Sequence, residues 1–214
     1  MPDWKKVIEA KIALAKRGAL PSKPSADARV PPGQKLVTNF PILDLGILPE
    51  VNKTNWTLRI HGLVQNEISL DWEGFEALPQ ITDISDFHCV TRWSKLDVDW
   101  QGVSARELLM MANPLETAKF VTLHANDGYT TNLPLDALLD DDVIVAHSAL
   151  GYPLTTRHGG PVRLVVPKRY AWKSAKWLKA IELHEFDRPG FWEVRGYHNK
   201  GFPFDEQRFT DDDY

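Results

Sequence analysis

Asp86-Phe-His-Cys-Val-Thr-Arg-Trp-Ser94 carries the only cysteine of a 214-residue chain, Cys89, and the reading of that sulfur decides how the rest is read. A thiolate is a soft metal ligand and a strong nucleophile. A lone cysteine is also a small apolar side chain that packs well in a core. The run from Ile81 to Val90 reads as a strand that delivers Cys89 near its end, where chains enter loops and functional groups are often placed. His88 forms no dyad with it, because neighbouring strand residues point to opposite faces. His124, His147 and His158 are the histidines that folding could bring to the sulfur.

With 43% hydrophobic and 25% charged residues, the chain has enough apolar surface for a substantial core. The net charge of -4 gives no global argument for nucleic acid. One cysteine excludes an internal disulfide and a cysteine-rich zinc site. No apolar run reaches the roughly 20 residues a membrane helix needs. The first twenty residues interleave charges with apolar positions and show no secretory pattern, so a cytoplasmic protein is expected.

Residues 1–35 read as an amphipathic helix over 3–17, ended at Gly18, followed by a proline-rich connector from Pro21 to Gly33. Trp4, Val7, Ile8, Ile12 and Ala15 share one stripe, through which the helix is expected to dock on the body, and Lys5, Lys6, Lys11, Lys16 and Arg17 form a solvated basic face. The folded domain is expected over 36–186. Trp56-Thr-Leu-Arg-Ile-His-Gly-Leu63 alternates with period two, as a half-buried strand does. A short strand at Ile68–Leu70 and a helical turn from Asp71 to Leu78 follow. Ser104-Ala-Arg-Glu107 reads as a capping box opening a helix to Ala112. Lys119–Leu123 and Tyr129–Leu133, joined by Asn126-Asp-Gly128, read as a hairpin. A helix over Leu135–Leu139 and strands at Val143–Ala146 and Val162–Val166 complete an α+β pattern with a mixed sheet. Residues 187–214 are an aromatic arm, expected to pack across the body and cover a site.

The second informative stretch runs from Thr155 to Leu178. It holds Arg157, His158, Arg163, Lys168, Arg169, Lys173 and Lys176 around a Gly-Gly-Pro turn, with no carboxylate. Such a cluster suits a phosphate, with tryptophan available to contact a planar ligand. As a surface stripe it would have no such task. No G-x-G-x-x-G, P-loop, G-x-S-x-G or S-x-x-K motif occurs. Asp140, Asp141 and Asp142 read as a helix end or loop.

Phe87-His-Cys-Val-Thr-Arg-Trp-Ser94, His158-Gly-Gly-Pro-Val-Arg-Leu-Val-Val-Pro167 and Lys173-Ser-Ala-Lys-Trp-Leu178, in this order, resemble the molybdopterin-binding domain of the sulfite oxidase family. Within it they are most similar to the small bacterial sulfite oxidase-like oxidoreductases. The likeness runs from about Thr38 to Glu185, and Gly190–Asn199 also fits that subgroup. It implies the mixed-sheet molybdopterin-binding fold of the sulfite oxidase type, with Cys89 as the protein's ligand to molybdenum. It further implies that His158 and Arg163 contact the pterin or its phosphate and that Ser174, Ala175 and Lys176 cradle the phosphate. Asn39 and Ala125 are placed against the cofactor by the same likeness. Sulfite-oxidising members carry an arginine where this chain has Thr38-Asn-Phe-Pro-Ile-Leu43, a departure that leaves the substrate open between sulfite-like molecules, S-oxides and N-oxides.

The resemblance therefore implies a molybdenum- and molybdopterin-dependent oxidoreductase that transfers an oxygen atom or two electrons. It would exchange electrons with an unidentified donor or acceptor protein and act as a monomer without a membrane span. Arg92, Trp192, Tyr197 and His198 are candidates to shape the substrate pocket. Two alternatives stand beside it. In one, Cys89 is the nucleophile of a hydrolase or transferase; in the other, a non-catalytic module binds a phosphorylated ligand through residues 157–176.

Overall fold

The computed structural model describes residues 4–17 and 27–210. In chain order its elements are α1 (Trp4–Lys16), β1 (Lys35–Leu36), β2 (Thr57–Gly62), β3 (Ile68–Asp71), α2 (Trp72–Glu76), β4 (Ile81–Cys89) and β5 (Trp93–Ser104). They continue as α3 (Ala105–Ala112), β6 (Phe120–Ala125), β7 (Thr130–Pro134), β8 (Ile144–Ala149), β9 (Tyr152–Pro153), β10 (Arg163–Val165) and β11 (Leu178–His184). One sheet has the order β1-β5-β8-β10, with β4 also paired to β5 and β9 to β8; the other runs β3-β2-β11-β6-β7. β1 pairs with β5 and β11 with β2 in parallel, and the other ladders are antiparallel. The sheets are mixed, as the α+β reading expected.

Alternation along the strands explains where the cores sit. In β2, Leu58 and Ile60 are fully buried while Arg59 is exposed. They share a core with Val121, Leu123, Ile181 and Leu183 of the same sheet, with Val103, Val145 and Leu164 of the other, and with Leu108 and Leu109 of α3. The opposite face of the first sheet builds a second cluster from Phe87, Val98, Trp100, Ile144 and Val165. The first half of β8 is thus apolar on both faces, the reason residues 143–146 are a continuous apolar run. At the β5–β8 crossing the register shifts between Gln101 and Gly102. A Cβ at Gly102 would collide with the Val145 carbonyl oxygen, so the bulge requires glycine there.

Several expectations change. Ser104 begins α3 but its side chain caps nothing. It is still paired with Ile144 in the β5–β8 ladder, and the Ala105 N–H donates to Val143, so the sheet dictates its orientation. Leu135–Leu139 is a 3₁₀ helix. β5 and β11 were not read from the sequence. The helix expected over 3–17 is α1, while Gly18, residues 21–26 of the connector and residues 211–214 of the arm lie outside the described residues. α1 docks on the body through its apolar stripe, as expected: Ala15 is fully buried and Ile12 half-buried against Cys89, Val90, Tyr170, Trp172 and Tyr197.

Candidate active site

Cys89 is the last residue of β4, opposite Trp93 at the start of β5. The reversal between them is tight. Arg92 adopts φ 71° and its N–H donates to the Cys89 carbonyl at 2.9 Å, and Gln34 Nε2 donates to the same oxygen at 3.1 Å. The thiol is 6% exposed and lies 3.2 Å from Thr91 Oγ1. Burial pushes its pKa up, against the contact with Thr91 and the charges of Lys176 and Lys11. It lines a cavity walled by Phe40, Phe87, Trp93, Trp172, Trp192 and Tyr197.

Arg163 and Lys176 are two of the cations that line the cavity. Arg163 is 2% exposed at the start of β10, with Nη1 donating to the His158 carbonyl (2.9 Å) and Nη2 to the Ser174 carbonyl (3.1 Å). Its guanidinium lies 5.1 Å from the Phe87 ring centre. Burial alone pulls its pKa down to about 9. Lys176 Nζ donates to the carbonyls of Leu43 and Arg157, each at 2.7 Å. Burial, with repulsion from Arg163, pulls it down to about 7, opposed by Asp44, Asp127 and Cys89. Among the described residues neither cation forms an ion pair. A buried and a half-buried cation held by carbonyl dipoles and ring faces, without a carboxylate partner, favour an anionic ligand beside them.

The Gly-Gly-Pro turn makes this arrangement possible. Gly159 has φ +102°, and a Cβ on it would come within 2.9 Å of Lys176 Cγ. His158, in the 3₁₀ turn Thr156–His158, places Nε2 3.1 Å from the Phe40 carbonyl and Nδ1 3.0 Å from Thr155 Oγ1. A carbonyl only accepts, so Nε2 carries the proton and the neutral ring accepts the threonine hydroxyl at Nδ1. Burial lowers its pKa, which keeps it neutral. Ser174 Oγ accepts the Val166 N–H at 3.0 Å. The N–H groups of Ala175 and Lys176 have no protein acceptor among the described residues.

The structure thus brings together Cys89, His158, Arg163, Ser174 and Lys176 on one cavity wall. Asn39 is exposed, while its neighbour Phe40 lines the cavity. The Ala125 and Ala175 side chains are buried outside it. The basic stretch proves to be several things. Lys168 pairs with Asp140 (3.0 Å), Arg169 stacks 3.4 Å from the Phe202 centroid, and Lys173 pairs with Glu193 (2.6 Å). Trp192 and Tyr197 of the arm stack at 4.9 Å and line the cavity; Arg92 and His198 do not. His124 bonds Glu182 and His147 bonds Gln80, away from the sulfur. With His158 occupied at both nitrogens and the thiol pushed up by burial, a cysteine–histidine nucleophile has no base here.

Lys11, Asp44, Asp127 and Tyr129 line the cavity without having been singled out from the sequence. The turn reading of Asn126-Asp-Gly128 was the available signal for Asp127, whose Oδ1 accepts the Tyr129 N–H at 3.0 Å. Tyr129 Oη donates to the Trp172 carbonyl at 2.6 Å. Among the described residues no three His, Cys, Asp or Glu side chains are grouped to hold a metal ion by themselves. Any metal here would depend on Cys89 and on ligands brought by a cofactor.

The family model described as oxidoreductase molybdopterin binding domain matches residues 45–192. The uncharacterized oxidoreductase YuiH of Bacillus subtilis is 46% identical over 183 residues, 85% of this chain and 92% of that one. The catalytic subunit of the protein-methionine-sulfoxide reductase MsrP of Campylobacter jejuni is 29% identical over 168 residues; the match takes in 71% of this chain and 56% of the relative. The crystal structure of the sulfane dehydrogenase SoxCD from Paracoccus pantotrophus superposes with a TM-score of 0.61 at 21% identity, over 70% of this chain and 42% of that one. That superposition shows a shared fold. The chain spans little more than half of the reductase and less than half of the dehydrogenase.

Proposed function

The chain belongs to the oxidoreductase molybdopterin binding domain family and is a molybdopterin-dependent oxidoreductase, and from that premise we propose that it transfers an oxygen atom to or from a small substrate. One observation carries the reading: a buried thiol shares a cavity with a buried arginine and a half-buried lysine, neither of which has a carboxylate partner among the described residues. The donor set fits the cofactor. A soft sulfur suits molybdenum already held by dithiolene sulfur, and Arg163 and Lys176 suit a phosphate.

In this reading Cys89 holds the metal. Arg163, Lys176, the Ser174 hydroxyl and the free N–H groups of Ala175 and Lys176 grip the phosphate. Neutral His158, fixed by the Phe40 carbonyl and the Thr155 hydroxyl, would contact the pterin. When bound, the molybdenum centre supplies two-electron oxygen-atom-transfer chemistry. Phe40, Trp172, Trp177, Trp192 and Tyr197 supply aromatic wall to the cavity, and Trp172, Trp192 and Tyr197 pack in the same cluster as Cys89. The substrate is an S-oxide, an N-oxide or a sulfite-like molecule, an S-oxide being the substrate for which the Campylobacter relative is named. We further read the protein as a cytoplasmic monomer that exchanges electrons with a separate protein. The docking of α1 onto the body supports treating that helix as part of the folded enzyme. Among the described residues no helix is long and apolar enough to cross a membrane.

The test is metal content. Protein purified from a host that makes the cofactor should hold close to one molybdenum per chain, and Cys89→Ser should lose most of it. Wild-type protein that repeatedly emerges from such a host without molybdenum or pterin refutes the reading.

A further inference from the structure

The cofactor reading leaves Lys11 without a task, yet α1 carries it to the cavity. Ala15, one turn further along the helix, is fully buried against Cys89, Trp172 and Tyr197, and this docking sets Lys11 half-buried in the wall. Among the described residues Lys11 makes no hydrogen bond and no ion pair.

The other charged groups facing the cavity are already engaged. Arg163 and Lys176 are held by carbonyls. Asp44 Oδ1 accepts the Gly46 N–H and Asp127 Oδ1 accepts the Tyr129 N–H. Leu45, Trp93 and Trp192 add apolar wall. A lysine set among them has lost part of its hydration without gaining an acceptor, an arrangement that an anionic ligand oxygen would complete.

We propose that Lys11 is a substrate-binding residue: its ammonium receives an anionic oxygen of a small oxyanion substrate in the cavity that holds Cys89. The residue therefore sets specificity among the proposed substrates, favouring the sulfite-like anion over a neutral S-oxide or N-oxide of the same size. Its placement on α1 also makes that helix part of the substrate site. The inference rests on the cofactor reading, because a bound pterin phosphate takes up Arg163 and Lys176 and leaves Lys11 as the cation open to substrate.

The experiment uses the molybdenum-loaded protein as wild type, Lys11→Gln and Lys11→Arg. Metal per chain is measured first, and sulfate is then titrated as a non-reacting oxyanion while cavity tryptophan fluorescence is followed. Equal molybdenum in all three proteins is expected, with sulfate affinity about tenfold weaker in Lys11→Gln and within about threefold of wild type in Lys11→Arg. Unchanged affinity in Lys11→Gln, or no sulfate binding by loaded wild type, overturns the proposal. Loss of molybdenum in Lys11→Gln alone also overturns it, since the lysine would then serve the cofactor. A wild type without molybdenum refutes the cofactor reading, and the inference with it, before any sulfate is added.

Discussion

Replacing Lys173 by methionine tests how the aromatic arm is fastened to the cavity. Lys173 Nζ lies 2.6 Å from Glu193 Oε1, with the two side chains 0% and 2% exposed. The same amine donates to the Asn132 backbone oxygen (2.9 Å) and Oδ1 (3.1 Å). Glu193 Oε1 also accepts from Thr131 Oγ1 and Trp172 Nε1, each at 2.9 Å, whereas Oε2 has no partner. Methionine fills much of the lysine volume but strands a carboxylate in the interior. Removing one partner of such a buried pair costs about 3–5 kcal/mol. In a domain of this size that lowers the melting temperature by roughly 6–20 °C. Thermal and urea unfolding of wild type, Lys173→Met, Glu193→Gln and the double variant, all in one cofactor state, supply the cycle. The double variant should recover most of the loss, because no unpaired charge is left. Limited proteolysis should cut faster within 187–204 in the single variant, since Glu193 ties the arm to β7 and to the Trp172 ring. A loss below about 1 kcal/mol would refute the argument, for it would mean that the carboxylate is hydrated or protonated at no cost.

Lys176 gives the cofactor-free protein a pH dependence. Its pKa is about 7 when folded and near 10.5 when unfolded, so between these values the unfolded chain binds more protons and stability rises with pH. Melting temperatures at pH 7, 8 and 9 should climb in wild type, and Lys176→Met should remove most of that slope. Gly102→Ala should cost about 2–3 kcal/mol by urea unfolding, because the new methyl meets the backbone of Val145 and Ala146, which cannot step aside. A loss under about 0.5 kcal/mol would show that the bulge relaxes freely.

The legible parts of the fold were those whose physics is local. The alternation of Leu58 and Ile60, the apolar face of α3 and the Asn126-Asp-Gly128 turn each act over a few residues, and each appears close to its expected place. β5 carries a local signal too, because Lys95, Asp97 and Asp99 alternate with Leu96, Val98 and Trp100 in the period of a half-buried strand, although Asp97 takes φ 54° within it. β11 was hidden because its seven residues gain their meaning from pairing with β2, over a hundred residues earlier. The Ser104 capping box failed for a related reason: a sheet contact outweighed a local propensity.

The sequence by itself determined the chemistry of the site. Its single thiol, the Gly-Gly-Pro turn and the run of cations after it are fixed by residue type, and the family likeness rests on their order along the chain. Which cations serve the site was decided only by tertiary structure. Lys168, Arg169 and Lys173 look no different from Arg163 and Lys176 along the chain, yet carboxylates and an aromatic ring hold the first three elsewhere. Lys11 comes from the far end of the sequence, brought in because Ala15 and Ile12 bury themselves beside Cys89. A charge is specified by its side chain, but whether it is neutralised, solvated or left facing a cavity depends on neighbours that only folding supplies.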